Sequence, residues 1–129
     1  MKIPQEMRYT KEHEWVLLED GVVIVGITDF AQSELGDIVY VEMPSVGSAI
    51  KAMESFGSVE SVKSVSDLFC PVSGVVADIN TRLADNPELV NSDPYGEGWL
   101  IRLEPDDPAE IEQLLTADEY ADYIGAETE

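Results

Sequence analysis

The chain is poor in the residues from which most catalytic sites are built. It holds one cysteine, Cys70, and one histidine, His13, in 129 residues. A single thiol excludes an intrachain disulfide and makes a reducing compartment the expectation. A single imidazole excludes a histidine cluster for metal and argues against a Ser/His/Asp relay. There is no P-loop, no Gly-x-Gly-x-x-Gly run and no calcium loop with acids at alternate positions. No apolar stretch approaches the roughly 18 residues of a membrane span. The opening residues, Met1-Lys2-Ile3-Pro4-Gln5-Glu6, lack the apolar segment of a secretory signal. Basic residues are scarce as well: seven Lys and Arg face 27 Asp and Glu, a formal net charge of −20. Such a surface repels phosphate backbones and anionic lipid, so neither nucleic acid nor membrane is an expected partner. It suits basic patches on partner proteins, although solubility or a salty cytoplasm would account for it equally well. The expected location is the cytoplasm, or the mitochondrial matrix for a processed eukaryotic form.

What is present is a globular balance, 44% hydrophobic and 26% charged residues. The length suits one domain spanning 1–129 around one core. The first two-thirds reads as short strands. Residues 14–19 end at Asp20-Gly21, a hairpin signal. A continuous apolar run over 22–27 predicts a strand buried on both faces. Asp29 with Gln32 predicts the cap of a short helix, stopped by Gly36. Further strands are predicted over 38–43, 48–51, 56–61, 64–69, 75–79 and 99–103. Pro87 marks a helical turn over 86–90. Asp107-Pro108-Ala109-Glu110 opens a C-terminal helical segment over about 107–125, with Ile111, Leu114 and Leu115 at helical spacing and a break near Thr116. Tyr120, Tyr123 and Ile124 carry its apolar stripe onward. Many short strands with regular turns predict a mainly β sandwich or barrel with the tail packed against it.

One segment stands out chemically. Residues 57–67 read as two strands joined by a tight turn, with Lys63 at or beside the apex. Lys63 is the only base between Lys51 and Arg82, and its charged neighbours, Glu60 and Asp67, are acidic. A lysine on a hairpin tip is commonly no more than a solvated residue that protects a sheet edge. It is also an ideal target for an acylating enzyme, which needs a rigid, protruding lysine. Acylation there would remove the charge and add a long arm, importing chemistry the chain otherwise lacks.

Glu60-Ser61-Val62-Lys63-Ser64, followed by Ser66-Asp67, resembles the lipoylation segment of glycine cleavage H-proteins. Tyr9-Thr10-Lys11-Glu12-His13-Glu14-Trp15-Val16 resembles the opening stretch of that family. Val25-Gly26-Ile27-Thr28-Asp29-Phe30-Ala31-Gln32, Leu35-Gly36-Asp37-Ile38-Val39, Pro71-Val72-Ser73-Gly74, Pro87-Glu88-Leu89-Val90-Asn91 and Asp93-Pro94-Tyr95-Gly96-Glu97-Gly98-Trp99 resemble its later landmarks. They come in the expected order across nearly the whole of 9–99.

The resemblance implies a flattened β-barrel sandwich, a lipoyl/biotinyl-like hybrid, with a lipoyl hairpin over about 56–69. It implies a non-catalytic carrier with lipoic acid joined covalently to Lys63. Glu60, Ser61, Val62, Ser64 and Asp67 would then guide a lipoate ligase or a lipoyl/octanoyl transferase. The carrier would receive the aminomethyl group of glycine from glycine decarboxylase (P-protein) and deliver it to aminomethyltransferase (T-protein). Dihydrolipoamide dehydrogenase (L-protein) would reoxidise it. The cargo's cationic amine would need shelter from water beside a carboxylate, and an arm-docking cleft of His13, Glu14 and Asp67 is the expectation, set against a solvated strand-end Glu14 and a surface His13. Trp15 and Trp99 read as core or cleft-lining aromatics, Cys70 as a buried apolar residue without nucleophilic character, and Gly26, Gly36, Gly57 and Gly74 as turn or close-packing positions. A lipoyl relay that donates its group to other lipoyl domains would use the same lysine. An unmodified acidic binding module would not. Val62-Lys63-Ser64 differs from the Asp-Lys-Ala turn of 2-oxoacid dehydrogenase lipoyl domains and from the Met-flanked lysine of biotinyl domains.

Overall fold

The computed structural model describes residues 1–125; the expected domain limit at 129 lies outside the described residues. Nine strands form two sheets. The larger has the order β1 (Arg8–Tyr9), β2 (Glu14–Glu19), β3 (Val22–Ile27), β9 (Ile101–Pro105), β8 (Gly74–Ile79) and β5 (Ala49–Ile50). The smaller has the order β4 (Ile38–Glu42), β6 (Ser55–Ser61) and β7 (Val65–Phe69). All pairings are antiparallel. The result is the expected sandwich, in two separate sheets rather than one closed barrel.

The β2–β3 hairpin follows from its turn. Asp20 (φ 53°) and Gly21 (φ 79°) are both left-handed, and that pair carries the same twist as the strands it joins. The apolar run of β3 reflects packing on both faces of the large sheet. Val23, Val25 and Ile27 enter the main core with Val41, Val59, Leu68 and Leu103. Ile24 faces a second cluster of Ile3, Met7, Tyr9, Trp15 and Tyr120. A fully buried aliphatic side chain contributes about 2 kcal/mol. The two clusters, more than any cap, therefore hold the sandwich and the tail together.

Several expected boundaries move. The α1 helix (Asp29–Leu35) is capped by Thr28, whose hydroxyl accepts the Ala31 N–H at 3.2 Å. Asp29 instead occupies the first helical position and accepts from the Gln32 side chain at 2.7 Å. The strand expected over 99–103 becomes β9. Trp99 still belongs to the 93–99 turn, where its N–H donates to the Gly96 carbonyl and its own carbonyl accepts from Asn80. The helical turn around Pro87 begins later, as α2 (Leu89–Ser92), because Asn86 and Pro87 lend it only their carbonyls. The tail opens as a 3-10 helix (Pro108–Gln113) with Asp107 capping Ala109 N–H, then breaks. It restarts at the Thr116–Glu119 capping box as α3 (Ala117–Ile124). Within α3 the expected stripe is interrupted, since Tyr120 is buried and Tyr123 is half exposed. The two-residue β1 was not expected. It pairs with β2 through Arg8–Val16 and Tyr9–Trp15, and on its other side Tyr9 exchanges backbone hydrogen bonds with Leu115 of the tail.

Candidate functional site

Lys63 stands at the apex of the β6–β7 hairpin. Glu60 pairs with Val65, and the Ser61 N–H donates to the Ser64 carbonyl at 2.8 Å. The Ser61 hydroxyl oxygen accepts the Ser64 N–H at 3.1 Å and the Lys63 N–H at 3.3 Å. Ser61 is thus buried and shapes the apex from within. Glu60, Val62, Ser64 and Asp67 are exposed around it. The Val62 N–H donates to the Asp37 carbonyl at 3.1 Å, anchoring the tip to the segment that follows α1. Asp67 lies within β7, opposite Ser58, and does not close the turn.

Gly36 ends α1 with φ 80°, and the Lys63 side chain passes close to it. A Cβ built on Gly36 would stand 3.4 Å from Lys63 Cε and 3.9 Å from Nζ. The helix that Gly36 terminates forms one wall of a cavity of about 220 Å³. Phe30, Ala31, Glu34 and Leu35 come from that helix. Val59, Ser66, Asp67 and Leu68 come from the hairpin, and Glu12, His13, Glu14 and Ile27 complete the lining. The structure therefore brings all three expected cleft residues, His13, Glu14 and Asp67, to one cavity beside the expected lysine.

Glu14 is not a solvated strand-end acid. It is 1% exposed, the only charged side chain among the buried described residues. The Thr10 hydroxyl donates to Oε1 at 2.6 Å, and the Phe69 N–H donates to Oε2 at 3.2 Å. Burial pushes its pKa up to about 7, against the downward pull of these two hydrogen bonds. Nor is His13 a free surface residue. Its ring lies 4.9 Å from that of Phe30, and its Nδ1 is 2.9 Å from the Tyr120 hydroxyl. Four acidic side chains, Glu12, Glu14, Glu34 and Asp67, line a pocket whose one basic side chain is a half-buried imidazole. That potential selects a cation.

The raised pKa of Glu14 sets a pH dependence. Below pH 4.5 the carboxyl is neutral in both folded and unfolded chains and costs nothing. As pH rises from 4.5 to 7 the unfolded chain ionises first, so stability falls, and above 7 the loss is complete at about 3 kcal/mol. Urea unfolding at pH 4.5 and pH 8 is expected to show this loss in the native chain and not in Glu14→Gln. Equal losses in both proteins would mean that Glu14 ionises freely when folded.

Sequence reasoning missed several parts of this site. Thr10 is Glu14's partner only because the intervening loop folds back at His13, where φ is 72°. Phe30, Ala31 and Leu35 carry no chemistry and gave no signal beyond their place on an amphipathic helix. The expectations for Cys70 and the two tryptophans hold. Cys70 is fully buried, donates to the Val72 carbonyl, and has its pKa pushed up to about 12 by burial, so it is no nucleophile. Trp15 is core, its indole N–H donating to the Pro94 carbonyl. Trp99 stacks under Arg102 in a larger cavity of about 560 Å³ around Asn80. The two arginines there, Arg82 and Arg102, are already paired with Glu97 and Asp78. Among the described residues there is no acidic, histidine or cysteine cluster suited to a metal and no helix long and apolar enough to cross a membrane.

Residues 7–127 match the sequence profile of the glycine cleavage H-protein. A glycine cleavage system H protein of Geobacillus thermodenitrificans is 59% identical over 96% of this chain and 98% of its own. One from Halalkalibacterium halodurans is 56% identical over 97% and 98%. The crystal structure of a glycine cleavage system H protein from Mycobacterium marinum superposes with a TM-score of 0.88 at 45% identity, covering 95% of this chain and 99% of that one.

Proposed function

Because the chain belongs to the glycine cleavage H-protein family, the non-catalytic lipoyl carrier of the glycine cleavage system, we propose that its lipoyl group is attached to Lys63 and that the adjoining cavity shelters the loaded arm. One observation carries this reading. The lysine at the hairpin apex lies against the end of the helix that walls a cavity holding a buried carboxylate.

The residues fit such a group. Ile27, Leu35, Val59 and Leu68 offer an apolar lining, and Glu14 offers a buried carboxyl within it. When bound, the lipoyl group supplies the disulfide–dithiol chemistry and the reach by which the aminomethyl group of glycine passes between enzymes. The chain's own residues do the rest. Ser61 rigidifies the apex, so that Lys63 is presented at one place to a lipoate ligase or a lipoyl/octanoyl transferase. Glu14, held by Thr10 and Phe69, pairs with the cationic amine of the cargo, and the cavity's apolar walls exclude water from it. A cation there favours ionised Glu14, so seating the cargo near neutral pH releases a proton from that carboxyl.

The partners in this reading are glycine decarboxylase, which loads the carrier, aminomethyltransferase, which unloads it, and dihydrolipoamide dehydrogenase, which restores the disulfide. The compartment in this reading is a bacterial cytoplasm. The net charge of −20 then serves fast, weak encounters with each partner. Loading by glycine decarboxylase is expected to slow several-fold as salt rises from about 50 to 500 mM, where the screening length shrinks well below that at low salt. A flat salt profile would remove steering from the account.

The attachment is tested by intact mass and peptide mapping after incubation with lipoate, ATP and a lipoate ligase. One lipoyl amide on Lys63 is the expected result. No addition to the folded chain, with the ligase active on a control domain, would leave an acidic protein-binding module as the better account.

A further inference from the structure

His13 forms one wall of the cavity, and it is held there from an unexpected direction. The residue lies in the loop entering β2 at φ 72°, a left-handed conformation uncommon outside glycine. Its carbonyl accepts the Thr28 N–H at 3.0 Å. Its Nδ1 is 2.9 Å from the hydroxyl of Tyr120, and that same hydroxyl is 2.8 Å from Thr28 Oγ1. Thr28 in turn caps α1, the helix of the opposite wall. Tyr120 itself is fully buried in α3, its ring stacked on Tyr9 with centroids 4.8 Å apart.

The packing does not require that hydroxyl. Phenylalanine would fill the same space against Tyr9, and a buried phenol is disfavoured unless its hydroxyl is bonded. Here it is bonded twice, and both bonds lead to the cavity. We propose that Tyr120 is a positioning residue of the arm cavity: its hydroxyl joins His13 on one wall to Thr28 at the head of the other and so fixes the imidazole where the end of the arm must lie. The inference rests on the Lys63 carrier reading and adds the C-terminal helix to the site.

With Nδ1 engaged, Nε2 is the ring nitrogen left to meet a guest. Burial holds the His13 pKa below its usual value, opposed by Glu12 and Glu34, so the ring is neutral at neutral pH and does not repel a cation. The groups that face the ring are Glu12, Glu14, Glu34 and Asp67 from the cavity and Tyr120 and Tyr123 from α3.

The test uses Tyr120→Phe in two forms of the full chain. In the unloaded chain, nitrogen NMR of the single histidine reads tautomer and titration, and both are expected to change. In lipoylated chain loaded by glycine decarboxylase, release of the amine to water is expected to rise about fivefold, the worth of one ordinary hydrogen bond. In a His13→Ala background the same substitution is expected to add nothing. An equal increase in that background would mean general loosening and overturn the proposal, as would unchanged histidine signals. Should Tyr120→Phe fail to fold, His13→Phe removes the same bond from its half-buried end and keeps a ring in place. An unchanged release rate there would be equally decisive against it. A chain that takes no lipoyl group sinks the carrier reading itself, whereas the histidine titration tests the Tyr120 bond independently of any arm.

Discussion

Lys63→Arg is expected to yield a folded protein that supports no glycine–bicarbonate exchange by glycine decarboxylase above the carrier-free background. The substitution keeps charge, length and hairpin, but a guanidinium is never deprotonated in water and does not acylate. Lys63 is exposed and makes no side-chain hydrogen bond within the hairpin, so stability should stay within about 0.5 kcal/mol of the native chain. Exposure does not single this lysine out, since Lys2, Lys11 and Lys51 are exposed as well. What distinguishes it is a rigid apex beside an apolar cavity with a buried acid. Exchange assays with equal concentrations of the two lipoate-treated proteins decide the matter. Exchange retained by the arginine variant would place the arm on another lysine and uncouple it from the cavity.

The largest effect on stability is expected at Gly57. A Cβ there would lie 2.1 Å from the Glu42 carbonyl oxygen and 3.1 Å from its carbon. Both are backbone atoms of the neighbouring strand, so no side-chain rotation relieves the clash. On its other side, β6 shifts register against β7 between Ser55 and Gly57. Gly57→Ala should force β4 and β6 apart and cost about 3 kcal/mol, at the upper end for overpacking. Because Glu42 pairs with Ser58, the disturbance begins one residue from the strand register that carries the hairpin, and acylation of Lys63 should slow as well. Gly47→Ala is the control. It has open space around it and only an unfavourable φ of 94°, which costs about 1 kcal/mol. Urea unfolding of the two variants should separate them clearly. Equal, small losses would show that the sheet yields at Gly57.

Much of the fold was legible because its determinants are local. The Asp20-Gly21 turn, the β-branched runs of β3 and β4, Gly36 after α1 and the Asp107-Pro108 start of the tail each act through a few neighbouring dihedrals. So does the apex at Lys63, whose turn is built by Ser61 two residues away. Boundaries slipped where a longer-range bond competed. Thr28 takes the cap from Asp29, and its hydroxyl is also bonded to Tyr120 across 92 residues. Trp99 is held out of its expected strand by Asn80. The cleft trio follows from what a cationic cargo needs, but the burial of Glu14 does not follow from its neighbours in sequence.

The sequence by itself thus determined the strand-and-turn order, the lysine at the tip of its hairpin and the acidic surface, for periodicity, turn chemistry and charge are written in neighbouring residues. Only the tertiary structure decided that Glu14 is buried, that the hairpin and α1 enclose a cavity, and that the tail reaches His13. Those facts depend on contacts such as Phe69 to Glu14 across 55 residues and Tyr120 to His13 across 107, and no local preference encodes them. Burial is what turns an ordinary glutamate into a group that titrates near neutrality, and burial is a property of the packed whole.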